Sequence, residues 1–131
     1  MSGIYGIWKN EMSFGDSSVV TTHTIREDGS YETHMIYAMG GGCRQHIFHF
    51  GKLDFDDASL RLSIESGETE MRDCEDPSRS FDRRGFTEAE INETTSLLEQ
   101  EIPYIVDDDR LTMTVKGPMG EMEVVYNRHV D

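Results

Sequence analysis

The sequence from Val19 to Met39, VVTTHTIREDGSYETHMIYAM, decides the fold class. Apolar, β-branched and aromatic residues fall on alternate positions in two runs, one ending at Ile25 and one beginning at Tyr31. A period of two is typical of a β-strand that buries one face in a core. Residues 27–29, Glu-Asp-Gly, are typical of a tight turn between the runs. We therefore predict two antiparallel strands joined as a hairpin.

The same alternation recurs along most of the chain. It is clearest from Ser59 to Ser66, where Leu60, Leu62 and Ile64 alternate with polar residues. Further short runs of this kind are found at residues 4–14, 43–53, 104–106, 110–116 and 121–128. About eight strands joined mostly by tight turns predict a mainly β fold, an antiparallel up-and-down barrel, because closure removes exposed edges. We expect residues 1–131 to form a single domain.

The segment between the fifth and sixth predicted strands differs from the rest. Residues 67–86 are polar and contain Pro77, which predicts a long loop, with a strand extension near Met71 as the alternative. Thr87 followed by Glu90 matches a capping box, the pattern that begins many helices. We therefore predict one helix, over about 88–100, between these two strands.

The composition narrows the class of partner. The chain has 26 acidic and 12 basic residues and a formal net charge of -14. Phosphate backbones and anionic membrane surfaces would be repelled, so we predict no nucleic-acid partner. No apolar run approaches the roughly 18 residues of a membrane helix, so we predict no membrane insertion.

The N-terminus and the cysteines bear on the cellular compartment. Residues 1–5 lead directly into the first strand without a basic or apolar leader, so we expect no signal peptide in this chain. A cytoplasmic protein fits this pattern, and so does the mature form of an exported protein that has lost its leader. Cys43 and Cys74 offer one disulfide, but in the cytoplasm we expect thiols.

The first strand contains Gly6-Ile7-Trp8-Lys9, which resembles the Gly-x-Trp signature of the lipocalins and the wider calycin superfamily. In that family the tryptophan closes one end of the barrel, and an arginine near the end of the last strand packs across the indole. The resemblance implies a structural plug of Trp8 and Arg128, and a guanidinium over an indole is a favourable cation–π contact. Residues 106–110 keep only the aspartate of the family's Thr-Asp-Tyr motif, and the family's C-terminal helix does not precede Asp131. The resemblance is therefore to the short bacterial lipocalin-like domains.

The interior of such a barrel is the predicted binding site. About eight strands enclose a space for side chains or one small ligand. We expect non-enzymatic binding of a small hydrophobic or amphipathic molecule, such as a lipid or fatty acid, because methionine-rich linings accept varied apolar shapes. The side chains predicted to line this site are His23, Met35, Tyr37, His46, Phe48, Phe50, Leu62, Met113 and Tyr126. We predict no cofactor and no metal site, since His46 and His49 would lie on opposite faces of their strand, with His49 and His34 outward.

Other function classes remain open. An inward His23 or His46 would suit an enzyme acting on a small molecule, although no catalytic motif occurs. A filled barrel would instead suit an interaction domain without a ligand, and a heme-binding barrel is a variant of the ligand hypothesis. The basic cluster at residues 79–84 either forms ion pairs with neighbouring acids or attracts an anionic ligand to the barrel mouth. Both a monomer and a homodimer fit the sequence.

Overall fold

The computed structural model describes residues 3–39, 42–98, 100–117 and 120–129. Nine β-strands, one α-helix and a short 3₁₀ helix make up the described chain. Their bounds are β1 Gly6–Phe14, β2 Ser17–Ile25, β3 Ser30–Met39, β4 Cys43–Phe55, β5 Ser59–Arg72, the 3₁₀ helix Pro77–Arg79, β6 Phe81–Gly85, α1 Glu88–Leu98, β7 Ile102–Asp107, β8 Arg110–Gly117 and β9 Gly120–Arg128.

Eight of the strands close into one antiparallel barrel. Each of β1 to β4 pairs with the strand that follows it in sequence, and β5 then pairs with β7. The β7, β8 and β9 strands follow in order, and β9 pairs with β1 to close the circle. The predicted mainly β barrel of about eight strands is therefore confirmed.

The region after β5 corrects one sequence prediction. The predicted loop over residues 67–86 is wrong at both ends, because β5 continues to Arg72 and β6 forms at Phe81–Gly85. The alternative, a strand extension near Met71, is confirmed. The β6 strand lies beside the far end of β5, at a position that β7 does not reach. Its sequence, Phe-Asp-Arg-Arg-Gly, is mostly polar because it is an edge strand with largely exposed side chains.

The helix begins as the capping box predicts. The backbone N–H of Glu90 donates to the Thr87 hydroxyl at 3.2 Å, and the N–H of Thr87 donates to the Glu90 carboxylate at 2.9 Å. The helix packs against β5 and lies between the fifth and sixth strands of the barrel, after the additional strand β6. Its described part ends at Leu98; of the two remaining predicted positions, residue 99 lies outside the described residues, and Gln100 is not helical.

The barrel closes through two short seams. The β1–β9 seam consists of the pairs Trp8–Arg128 and Lys9–Asn127, and the β5–β7 seam also consists of two pairs. Beyond the first seam, the Asn10 side chain donates to the Val125 carbonyl at 2.7 Å and thereby spans strands that are no longer paired. The unit β7–β9 is therefore joined to the remaining strands less extensively than those strands are joined to one another.

A disulfide joins the start of β4 to the segment that follows β5. Cys43 and Cys74 are bonded, and Cys43 is buried. The neighbouring Glu75 N–H donates to the Gly42 carbonyl at 3.0 Å. This covalent link lies at the end of the barrel opposite Trp8, because Cys43 pairs with Met39 at the far end of β3. We call this end the rim.

Candidate functional site

Cross-strand register decides which side chains point into the barrel. Residues paired across neighbouring antiparallel strands share a face. Trp8 is fully buried and pairs with His23, which pairs with Thr33, which in turn pairs with His49. This row therefore crosses β1 to β4 on the inner surface, from the third residue of β1 to the middle of β4.

The half of the barrel between this row and the Trp8 end is filled. Trp8 donates from Nε1 to the Ile4 carbonyl at 2.8 Å, and the Arg128 guanidinium carbon lies 4.2 Å from the centre of its ring. We call this the packed half. Its buried apolar side chains form one cluster: Ile4, Trp8, Ile25, Tyr31, Leu53, Leu60, Leu62, Ile102, Leu111, Met113 and Tyr126.

Gly6 has a specific purpose beside Trp8. Arg128 donates to the Tyr5 carbonyl at 2.9 Å and to the Gly3 carbonyl at 2.7 Å, so its guanidinium crosses the first strand. A Cβ atom on Gly6 would lie 2.5 Å from Nη1 of Arg128, and the φ of +135° is unfavourable for other residues. In the Gly-x-Trp pattern, Trp8 therefore supplies the indole, and the missing Cβ of Gly6 leaves room for the guanidinium of Arg128 that packs on it.

The half nearer the rim is different. Most of its inward side chains are partly exposed, and Tyr37 and Met122 reach 37% and 49% exposure. We call this the open half. Its partly exposed inward side chains are Met12, Thr21, Met35, Tyr37, Gln45, Ile47, Met71 and Met122. Val115 and Val124 are also partly exposed, but they pack against the buried cluster of the packed half. Three inward residues of this half, Val19, Cys43 and Thr69, are buried.

Four polar side chains lie at the boundary between the two halves, and one of them, Tyr126, also belongs to the buried cluster of the packed half. Nδ1 of His23 lies 2.7 Å from the Thr33 hydroxyl, and the His23 ring packs edge-on against Tyr126 with centroids 4.8 Å apart. His49 completes this set, which we call the polar floor. Within the described ranges, neither the Tyr126 hydroxyl nor the His49 ring has a side-chain or backbone hydrogen-bond partner. The described residues therefore leave the hydrogen-bonding capacity of both groups unused.

The polar floor is uncharged at neutral pH. Burial, and to a smaller extent the neighbouring His49, lowers the pKa of His23 to about 4. Burial also lowers the pKa of His49 and raises the pKa of Tyr126 to about 12. The imidazoles and the phenol therefore offer neutral hydrogen-bond donors and acceptors.

A residue that the sequence did not single out closes the side of the polar floor. The Phe86 ring packs against His49, with centroids 5.7 Å apart, just after β6 ends. A Cβ atom on Gly67, which is inward on β5, would lie 2.5 Å from this ring. The glycine therefore makes room for Phe86, and no periodic pattern in the sequence reveals this pairing.

The orientation predicted for β4 is wrong. Phe48 pairs with the outward His34, and His46 and Phe50 share its face, so these three side chains lie outside the barrel. The inward positions of β4 include Gln45, Ile47 and His49 instead. Apolar or aromatic residues occupy both faces of this strand, so alternation alone did not decide between them. The tight β3–β4 connection, which pairs Met39 with Cys43, would have placed the odd-numbered residues inward.

The remaining predicted lining residues all point inward but not into the same half. Met35 and Tyr37 lie in the open half, and His23 and Tyr126 belong to the polar floor. Leu62 and Met113 are buried in the packed half, where they fill the core.

The outward face of β4 carries an aromatic and charged cluster. Nε2 of His34 lies 3.0 Å from Nδ1 of His46, and the Phe48 ring is stacked on His34. The Arg83 guanidinium carbon lies 3.9 Å from the centre of the Phe48 ring, and Arg83 pairs with Glu68 at 2.6 Å. Arg84 pairs with Glu90 at 2.8 Å, so these two arginines of the basic cluster form ion pairs rather than facing the interior.

The described residues contain no group of three metal-binding side chains. His23 has no carboxylate partner in the described part of the chain, and its contacts are Thr33 and Tyr126. Among the described helices, none is long and apolar enough to cross a membrane.

Comparison with protein-family models finds no match for this chain. Comparison with curated proteins finds no similar sequence either. The geometry of the barrel is therefore the basis for any functional argument.

Proposed function

We propose that the protein is a lipocalin-like binding protein that holds a small apolar or amphipathic molecule in the open half of its barrel. The observation that carries the proposal is the partial exposure of inward apolar side chains such as Met35, Ile47 and Met71. A filled barrel would bury them as it buries Met113. Apolar side chains around a few convergent polar groups are typical of small-molecule sites.

The arrangement of the site supports binding over catalysis. Trp8 and Arg128 close one end, so the molecule would enter at the rim. The polar floor supplies hydrogen bonds, but His23 lacks the carboxylate that orients and charges a catalytic histidine in many enzymes. Methionines at positions 12, 35 and 71 suit ligands of varied shape.

The lipocalin-like assignment within this proposal rests on three features together. These are the closed eight-stranded antiparallel barrel, the Gly6-x-Trp8 pair on its first strand and the position of Arg128 over the indole. The guanidinium approaches the ring at a distance typical of a cation–π contact.

A fluorescence titration with N-phenyl-1-naphthylamine, a neutral apolar dye, tests the proposal. We expect saturable binding with a blue-shifted emission. Met35→Trp fills the open half and should weaken binding at least about tenfold, since the side chain occupies the dye's space. Ile36→Trp is the matched control, because Ile36 is the next residue on β3 and faces outward. Absence of saturable binding, or equal loss in both variants, would contradict the proposal.

The sequence fits either a cytoplasmic protein or the mature form of an exported protein, and the disulfide favours the exported form. Disulfides persist in oxidising compartments and are rare in the cytoplasm. We therefore propose that the protein functions in an oxidising environment rather than in the cytoplasm. Mass spectrometry of protein alkylated directly in its host checks this: unmodified Cys43 and Cys74 support it, and two alkylated thiols contradict it.

A further inference from the structure

The inner surface is nearly free of charge. Arg128 is the one inward-facing charged side chain on the described barrel strands, and it is bonded to backbone carbonyls at the closed end. The outward rows of the same strands carry the charges, for example Lys9, Glu11, Arg61 and Glu68. In a chain with 26 acidic and 12 basic residues, this separation determines which ligands the interior suits.

We infer that the molecule held in the open half is electrically neutral, with an apolar body and one hydroxyl, amide or carbonyl group bonded to the polar floor. This inference rests on the proposed function and specifies its ligand class. It narrows the sequence-based expectation, which included fatty acids, to neutral amphipathic molecules.

The polar floor matches a neutral polar group. The Tyr126 hydroxyl donates or accepts one hydrogen bond, and a neutral imidazole provides one donor and one acceptor. The Tyr126 hydroxyl and the His49 ring have no hydrogen-bond partner among the described residues, so a ligand hydroxyl or amide would supply one.

A carboxylate would meet two obstacles. An ionised group in this interior lacks a cationic partner, and removal of its hydration is costly. With the pKa of His23 at about 4, about one imidazole in a thousand is protonated at pH 7, so a compensating charge is rarely present. The net charge of -14 adds a repulsive field outside the barrel.

Three ligands of one chain length provide the test. 1-Dodecanol, dodecanamide and dodecanoate compete with bound N-phenyl-1-naphthylamine at pH 7.5 and at pH 5.0, each below its aggregation concentration. At pH 7.5 we expect the alcohol and the amide to displace the dye at concentrations at least about tenfold lower than dodecanoate. At pH 5.0 we expect dodecanoate to displace the dye at a lower concentration than at pH 7.5, because part of it becomes the neutral acid. The concentration of the alcohol that displaces the dye should change less than twofold.

A pair of tyrosine variants locates the polar contact. Tyr126→Phe keeps the ring but removes the tyrosine hydroxyl from the polar floor, and it should lower the affinity for 1-dodecanol about three- to tenfold. Tyr31→Phe is the matched control, because Tyr31 is enclosed in the packed half and its hydroxyl bonds to no described group. It should leave the affinity for 1-dodecanol unchanged.

The outcomes separate the inference from the proposed function. If the dye binds and dodecanoate displaces it at pH 7.5 as well as the alcohol does, the ligand need not be neutral and the inference fails while the binding function stands. If the two tyrosine variants lower the affinity for 1-dodecanol equally, the inferred hydrogen bond to the polar floor is wrong. If the dye does not bind saturably, the proposed function itself fails.

Discussion

The packed half and the open half of the barrel are formed by the same strands, yet they are stabilised by different means. In the packed half, large side chains such as Trp8, Tyr31 and Leu111 are almost completely buried. In the open half, most inward side chains stay partly exposed, and the Cys43–Cys74 disulfide links β4 to the segment after β5 at the rim. The difference indicates that the first half supplies stability and the second half supplies space.

The packed half should react most strongly to the loss of one side chain. Trp8→Ala removes a fully buried indole, its hydrogen bond to Ile4 and its contact with Arg128, and should lower the free energy of unfolding by about 3–5 kcal/mol. Urea denaturation measures this change. Lys9→Ala is the control: Lys9 is the next residue on β1, with only a solvent-exposed ion pair to Glu11, and should change stability by less than about 0.5 kcal/mol. Similar losses in both variants would refute the division of the barrel.

The open half should depend on its covalent link. Cys43 and Cys74 are 31 residues apart, and closing a loop of this size restricts the unfolded chain by about 3–4 kcal/mol in the chain-entropy model. Cys43→Ser should lower stability by about this amount and should raise amide hydrogen exchange near the rim while leaving β1 near Trp8 unchanged. Thiol titration of the unfolded wild-type protein provides the check: two free thiols without reductant would show that the link is absent.

The polar floor should make stability depend on pH. The pKa of His23 is about 4 in the folded protein and 6.5 in the unfolded chain, so the unfolded chain binds more protons between these values. Stability is therefore complete above pH 6.5 and is lost as the pH falls toward 4, with a loss of about 2 kcal/mol at pH 5. Urea midpoints at pH 7.5 and 5.0 measure this loss.

His23→Gln is the matching variant for the pH measurement. It removes the titrating group, so its stability should fall by about 2 kcal/mol less than that of the wild type over the same range. His34 and His49 also have lowered pKa values, but they are present in both proteins and cancel in the difference. Parallel pH curves for the two proteins would exclude a neutral buried His23.

Much of the barrel could be predicted from the sequence because most of its strands bury one face only. The runs at Val19–Ile25 and Tyr31–Met39 alternate cleanly, and the structure forms strands there. The β4 strand could not be oriented in this way, since Phe48 outside and Ile47 inside are both apolar. Phe48 lies outside because it packs against His34 and Arg83, which are distant in sequence.

The candidate site was less predictable than the fold. Met35 and Met113 are the same residue type at inward positions, yet one is partly exposed and the other is buried. Alternation reports which face a residue lies on, but not how far along the barrel the core extends. That distance depends on how β1 meets β9 and how β5 meets β7 at the two short seams, which only the assembled structure defines.

The most direct test of the account compares Met35→Ala with Met113→Ala by urea denaturation and by titration with N-phenyl-1-naphthylamine. Met113→Ala should lower the free energy of unfolding by about 2–5 kcal/mol and change the dye affinity less than twofold. Met35→Ala should lower the free energy of unfolding by about 1 kcal/mol or less and lower the affinity for the dye at least about threefold. Equal losses of stability, together with a dye affinity that Met35→Ala leaves unchanged, would contradict the claim that one half of the barrel is the core and the other half is the binding site.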